Sequence, residues 1–394
     1  MLWWIAFFNY ADRQAIFSVF PLLERQFGLS TVQLGLLGSS FAWIYGLCAP
    51  FAGNIVDRVR RKTAILAGLQ AWSLICMATA FARSFPQLLF FRAAEGLGET
   101  FYFPASMSML SDYHGPETRS RALGFHQTSV YIGTIAGGFF AGLIGQVYGW
   151  RWSFIIFGGL GSVLGLFLRR WLREPAREQS RDHASRPAVV HIWTNPAAVL
   201  LMAAFLCANF VALVLLSWMP SFLYHRFNLS LAASGLTATL FVQLASMAGS
   251  PLGGWLADLL RRRRRAGRML VQAAGLLCGA PFVVLCGWTR SVSVLVLALA
   301  AWGFFKGVYD ANIFASVYDV IRPEARGTAA GFMNMIGWLG GGAAPVVIGY
   351  VAQQRSLGFA ISAAAAVYLL GVILLLAAAR TVHTSSRAQA FVVN

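Results

Sequence analysis

Runs of about 20 apolar residues, each long enough to cross a bilayer, recur from one end of this 394-residue chain to the other. That recurrence leaves few folds open. In lipid every backbone N–H and C=O must be satisfied within the structure, which runs of this length achieve as helices. The apolar pattern predicts twelve, near residues 2–23, 33–55, 63–83, 86–110, 122–146, 152–170, 195–223, 232–257, 269–288, 292–319, 328–350 and 357–379. Only 11% of the residues are charged, against about 25% in soluble domains, too few to cover a water-facing surface. The expected class is an all-α membrane protein.

The net charge of +17 would suit a nucleic-acid binder, but its placement does not. The basic residues form short clusters between alternate pairs of apolar runs, as in the positive-inside pattern of membrane proteins, and nothing builds a soluble basic face. Of 31 Lys and Arg, 22 fall on the side shared by the even-numbered loops and the tail, and six on the other. Three more, Arg13, Arg92 and Lys306, lie inside helices. The basic side is expected in the cytoplasm, with both termini. The longest interior polar stretch, 171–194, reads as a cytoplasmic linker between a six-helix bundle over 1–170 and a second over 195–379, with a cytoplasmic tail at 380–394. The first apolar stretch carries Asp12 and Arg13 and lacks a basic leader, so it is not a cleavable signal peptide; a short cytoplasmic segment ahead of it is expected. The five cysteines lie in apolar runs with no ligand spacing, so neither a metal site nor a disulfide framework is expected.

Two motifs repeat in order. Gly53-x3-Asp57-Arg58-x-Arg60-Arg61 returns as Gly254-x3-Asp258-x2-Arg261-Arg262, an offset of 201. Pro116-Glu117-Thr118-Arg119-x2-Ala122-x-Gly124 returns as Pro323-Glu324-Ala325-Arg326-x2-Ala329-x-Gly331, an offset of 207. Duplicated halves are a common plan for transporters, with the binding site at their interface.

These motifs and the twelve-helix plan resemble the major facilitator superfamily over essentially the whole chain. Asn9-Tyr10-Ala11-Asp12-Arg13 and Arg92-x3-Gly96-x-Gly98-Glu99-x4-Pro104 resemble two branches equally, the anion:cation symporters and the bacterial Spinster-like proteins. Arg173-Glu174-Pro175 leans toward Spinster, and Gly331-Phe332-Met333-Asn334-Met335 toward the symporters. The resemblance implies two pseudo-symmetric bundles in a bacterial inner membrane and transport by alternating access. The solute it implies is a small organic anion moved with protons or, in the Spinster alternative, a lysophospholipid or other amphiphile. A monomer suffices for this fold, membrane lipids are its surroundings, and neither a cofactor nor enzymatic activity is implied. Gly138 stands where a drug-antiporter motif in the fifth helix would have proline.

A charge at mid-bilayer costs about 2.5–3.5 kcal/mol on insertion scales, so each one needs a partner, a water-filled cavity or a task. Arg13 offers a planar donor fork matched to a carboxylate and is the expected anion contact; the plain alternative is a structural ion pair. Glu99 is the expected proton carrier. Desolvation favours its neutral form and a nearby guanidinium its charge, so a solute that claims the guanidinium would leave Glu99 to take a proton. Asp12 and Glu95 are further carboxylates for this role, although Asp12 can instead bond Asn9 or backbone and Glu95 can pair with Arg92. Arg92, Glu95, Glu99 and Tyr102 share one helical face, as do Trp302, Lys306, Tyr309 and Asp310. The two faces should meet across a central cavity, with Tyr10, Tyr102, Lys306, Tyr309 and Asn334 as solute contacts. Lys306 and Asp310 also have the spacing of an ordinary intrahelical pair. Asp57, Arg58 and Arg61, with Asp258 and Arg261, resemble the family's gating clamps; the basic run from Arg261 could equally anchor anionic lipid. No pore filter or catalytic constellation points to a channel or an enzyme.

Overall fold

The computed structural model describes residues 1–174, 190 and 192–392; side chains at 54, 57, 116, 120 and 324 and from 383 onward lie outside that description, as does most of the predicted linker. The structure is helical throughout. The first half contributes α1 (Leu2–Ser18), α2 (Phe20–Phe27), α3 (Thr31–Arg58), α4 (Arg61–Thr79), α5 (Phe85–Glu99), α6 (Tyr102–Tyr113), α7 (Pro116–Tyr148) and α8 (Trp150–Trp171). The second contributes α9 (Pro196–Phe227), α10 (Leu231–Arg263), α11 (Gly267–Trp288), α12 (Val292–Asp310), α13 (Ile313–Val320), α14 (Arg326–Gln354), α15 (Leu357–Ala363) and α16 (Ala365–Val392).

Four predicted spans are interrupted: 2–23 at Val19, 86–110 between Glu99 and Tyr102, 292–319 between Asp310 and Ile313, and 357–379 at Ala364. The last helix also runs on to Val392, through the segment expected to be a tail. Among the described residues, nine helical stretches are individually long and apolar enough to cross a membrane. The other three predicted spans are α1 with α2, α4, and α5 with α6. Two of these carry buried charges (Asp12 and Arg13; Arg92, Glu95 and Glu99), which lower hydropathy without placing the helix in water. Large apolar side chains such as Phe81, Phe90, Leu297 and Ile373 are exposed, the arrangement that lipid permits and water penalises.

Backbone contacts divide the chain into two compact units. One gathers the described residues of 1–180 with 213–240 and 342–357; the other gathers those of 181–212 with 241–341 and 358–394. In the first, α3 crosses α5 at Gly96, where a Cβ would lie 2.6 Å from the Phe41 carbonyl oxygen. In the second, α10 crosses α12 at Gly303, where a Cβ would lie 2.6 Å from the Val242 carbonyl oxygen. Phe41 and Val242 are 201 residues apart, and Gly96 and Gly303 are 207 apart, so the two sequence offsets are also offsets of packing. Backbones this close leave room only for glycine.

A third repeat emerges from the turns. Phe27-Gly28-Leu29-Ser30 leads into α3 and Phe227-Asn228-Leu229-Ser230 into α10. Gly28 and Asn228 take φ of +63° and +52°, the left-handed region open mainly to Gly and Asn. The following serines both cap: Ser30 Oγ accepts from Gln33 N at 3.2 Å and Ser230 Oγ from Ala233 N at 3.2 Å. Ser30 N donates in return to Gln33 Oε1 at 2.9 Å, completing a capping box for α3.

Candidate functional site

In the first unit α1, α3, α4 and α5 bring together five charged side chains, none more than 8% exposed: Asp12, Arg13, Arg92, Glu95 and Glu99. Glu95 and Glu99 lie one turn apart on α5, so each can hold a cation from a different direction. Arg13 Nε donates to Glu99 Oε2, and Arg92 Nη1 to Glu95 Oε2. The expected Arg92–Glu95 pair is therefore present, and Arg13 and Glu99, 86 residues apart, are joined.

Aromatic rings wall the Arg13 guanidinium. Its carbon lies 4.8 Å from the Tyr10 ring centroid, 5.1 Å from Phe41 and 4.5 Å from Tyr45, distances at which the ring quadrupole attracts a cation. Arg92 approaches the same Phe41 ring at 4.9 Å. The sequence reading picked out neither Phe41 nor Tyr45. Both sit on α3 one turn apart, a spacing that ordinary core aromatics share.

Asp12 differs from its neighbours. It is fully buried, and among the described residues neither of its carboxylate oxygens has a hydrogen-bond partner. The alternative of a bond to Asn9 is not made, and the Asn9 amide nitrogen is itself unpartnered among the described residues. Ligand atoms of Asp12, Cys76 and Glu95 lie within 4.8 Å of one another, near enough for a shared cation. Arg92 already neutralises Glu95, however, and the Cys76 thiol donates to Phe154 O at 3.6 Å. Three carboxyl groups face two guanidiniums, so ionising all three would leave the cluster one positive charge short, which a low-dielectric interior makes costly.

The remaining candidates are placed separately. The Tyr102 hydroxyl is committed to Leu2 O at 2.8 Å and His126 Nε2 at 3.0 Å, with its ring edge-on to Trp72. These contacts fasten helices and occupy the hydroxyl of a residue expected to contact solute. In the second unit Lys306 Nζ donates to Asp310, the intrahelical pair its spacing allowed. Trp302 Nε1 donates to the Tyr368 hydroxyl at 3.0 Å. Tyr309 is buried and its hydroxyl has no partner among the described residues. Asn334 is half-buried on α14.

The clamp motifs engage residues that the sequence reading did not assign to them. Arg61 Nη1 donates to Asp112 at the end of α6, while Arg61 N and Lys62 N both donate to the Glu174 carboxylate at 2.8 Å. Glu174 thus caps α4 with a full negative charge at its positive end. In the second unit Arg268 donates to Asp258 at 2.9 Å and to Asp319 at 2.9 Å, and Arg261 reaches Asp319 at 2.8 Å. Asp258 therefore pairs with Arg268, in the first turn of the next helix, and not with Arg261 beside it. Arg61 and Arg268, like Asp112 and Asp319, are 207 residues apart, a signal the sequence offered. Arg58 is exposed at the end of α3, and the Asp57 side chain lies outside the described residues.

A sequence model of the Major Facilitator Superfamily matches residues 2–345. "Probable anion transporter 4, chloroplastic" of Oryza sativa subsp. japonica is 28% identical over 378 residues, covering 90% of this chain and 63% of the rice protein. The D-galactonate transporter of Escherichia coli O6:H1 is 26% identical over 395 residues, covering 92% of this chain and 90% of that one. Among solved structures, a bacterial homologue of the human lysosomal transporter Spinster, inward-facing and unoccupied, matches with a TM-score of 0.86 at 22% identity over 96% of each chain. That likeness is one of fold.

Proposed function

We propose that this chain, which belongs to the Major Facilitator Superfamily, moves a small organic anion, a sugar acid or another carboxylate, together with protons across the bacterial inner membrane by alternating access. The observation that carries the reading is the buried Arg13–Glu99 pair, held inside an apolar bundle with the guanidinium walled by Tyr10, Phe41 and Tyr45. An ion pair removed from water is a poor way to stabilise a fold but a good exchange point. With no solute, Glu99 neutralises Arg13. An arriving carboxylate takes the bidentate fork, which suits it better than a single-contact glutamate. Glu99 is then left buried without its cation and takes up a proton, so neither load binds well alone. Asp12, whose charge has no counterpart, is a second place for a proton, with Glu95 beside it.

In this reading Tyr10 and Tyr45 contact the solute in the first unit, and Tyr309, Asn334 and the Lys306–Asp310 pair are the second unit's own candidates for solute contact. The Arg61–Asp112 pair and the Asp258–Arg268–Asp319–Arg261 chain fasten helix ends on the basic face, which lies in the cytoplasm with both termini. The sugar-acid class is supported by the bacterial relative's name.

The test is uptake of labelled galactonate, glucuronate and simpler carboxylates by liposomes holding the purified protein, with and without an inward proton gradient. Arg13→Lys should lower uptake by about tenfold or more, since the ammonium keeps the charge and loses the fork. Glu99→Gln should abolish stimulation by the gradient. Gradient-independent uptake in both wild type and Glu99→Gln would remove proton coupling. Stabilisation by lysophospholipids and by none of the acids would move the substrate to amphiphiles.

A further inference from the structure

We propose that Phe41 is a positioning residue that couples the two buried ion pairs, so that occupancy at Arg13–Glu99 is felt at Arg92–Glu95. The proposal deepens the reading above and rests on it for the transport step.

The geometry is specific to this ring. Among the contacts of the described residues, Phe41 is approached by both guanidiniums, Arg13 at 5.1 Å and Arg92 at 4.9 Å. Two like charges in a low-dielectric interior repel, and a quadrupolar ring that both approach offers each a partial negative charge while admitting no water. Its backbone is fixed at the same spot. The Phe41 carbonyl oxygen lies 2.6 Å from where a Cβ on Gly96 would stand, and Gly96 falls between Glu95 and Glu99 in the sequence. The ring therefore hangs from the crossing that separates the two glutamates. Tyr45 stacks on it at 6.0 Å, with the rings 17° from parallel, and so limits its tilt.

The second unit supplies an internal control. There the crossing recurs with the same 2.6 Å approach, at Gly303 and Val242. The positions matching Glu95 and Glu99 at the 207-residue offset are Trp302 and Lys306. Where the carboxylate pair is missing, the ring is missing too, although the backbone packing is the same. Packing at the crossing therefore does not require an aromatic residue, and the ring goes with the charges. When solute draws Arg13 away from Glu99, the Phe41 ring loses one cation and binds the other more strongly, which moves Arg92 relative to Glu95.

The experiment compares Phe41→Leu, Phe41→Met and Phe41→Tyr in the full-length protein. The first readout needs no solute: the pH midpoint of the carboxyl infrared band that disappears in Glu99→Gln, recorded on solubilised protein. We expect the Leu and Met variants to displace this midpoint by about half a unit or more and the Tyr variant, which keeps a ring, to leave it in place. The second readout is the pH profile of anion uptake, which should flatten in Leu and Met and return in Tyr. An unmoved midpoint in Leu and Met, or a Tyr variant that behaves like them, would overturn the proposal; Met keeps the volume should Leu fail to fold. Loss of uptake stimulation in the wild type with the midpoint shift intact would count against symport alone.

Discussion

Adjacent residues of α1, Asp12 and Arg13, meet opposite surroundings. Arg13 has a carboxylate and three rings around it, whereas Asp12 is buried with both oxygens unpartnered among the described residues. A lone buried carboxylate is retained at a cost to the fold. Asp12→Asn should therefore raise the melting temperature in detergent, by about 2 °C or more, while lowering proton-driven accumulation. A fall in melting temperature would mean that Asp12 is compensated after all. The charged residues were legible in sequence because ionisable groups stand out within apolar runs. Phe41 and Tyr45 were not, since a chain with 31 phenylalanines offers aromatics on most helix faces, and only the fold shows which of them surround a cation.

The helices themselves followed from the apolar runs, but their interruptions did not. The break between Glu99 and Tyr102 falls at Thr100 and Phe101, neither of which is a helix breaker by type. The local signal is Pro104, which has no N–H to give the Thr100 carbonyl four residues back and whose ring crowds that carbonyl. The crossings are a different case, because glycine is readable and its partner is not. Gly96→Ala should cost about 1–3 kcal/mol from overpacking, seen as a lower melting temperature. Gly159→Ala on α8, where a new Cβ would meet no atom within 4 Å, should be neutral or slightly stabilising by stiffening the unfolded chain. Equal effects at both positions would show that the α3–α5 contact is looser than described. The clamp partners were legible in principle. Asp112 and Asp319 share the offset of the motifs that were recognised, but a single acid at a helix end resembles an ordinary solvated residue.

For the whole molecule, the duplicated plan makes charge exchange a sharp probe. Asp319→Arg alone places three arginines together and should reduce uptake by about tenfold, while adding Arg268→Asp should recover part of it, since the swap restores the 268–319 pair but sets like charges beside Asp258 and Arg261. Failure of the double variant to recover would demote the chain of ion pairs in the second unit to surface decoration. Cysteines placed at 263 should react only with reagents admitted to the cytoplasmic side.

The paired turns ahead of α3 and α10 carry a consequence for ancestry. Gly28 and Asn228 are different residues in one backbone shape, each followed by leucine and a capping serine. Drift between the halves has respected dihedral angle more strictly than side-chain identity, since a left-handed corner admits few substitutes. The corner thus keeps its shape through a change of residue, whereas the crossings at Gly96 and Gly303 keep theirs only by keeping glycine.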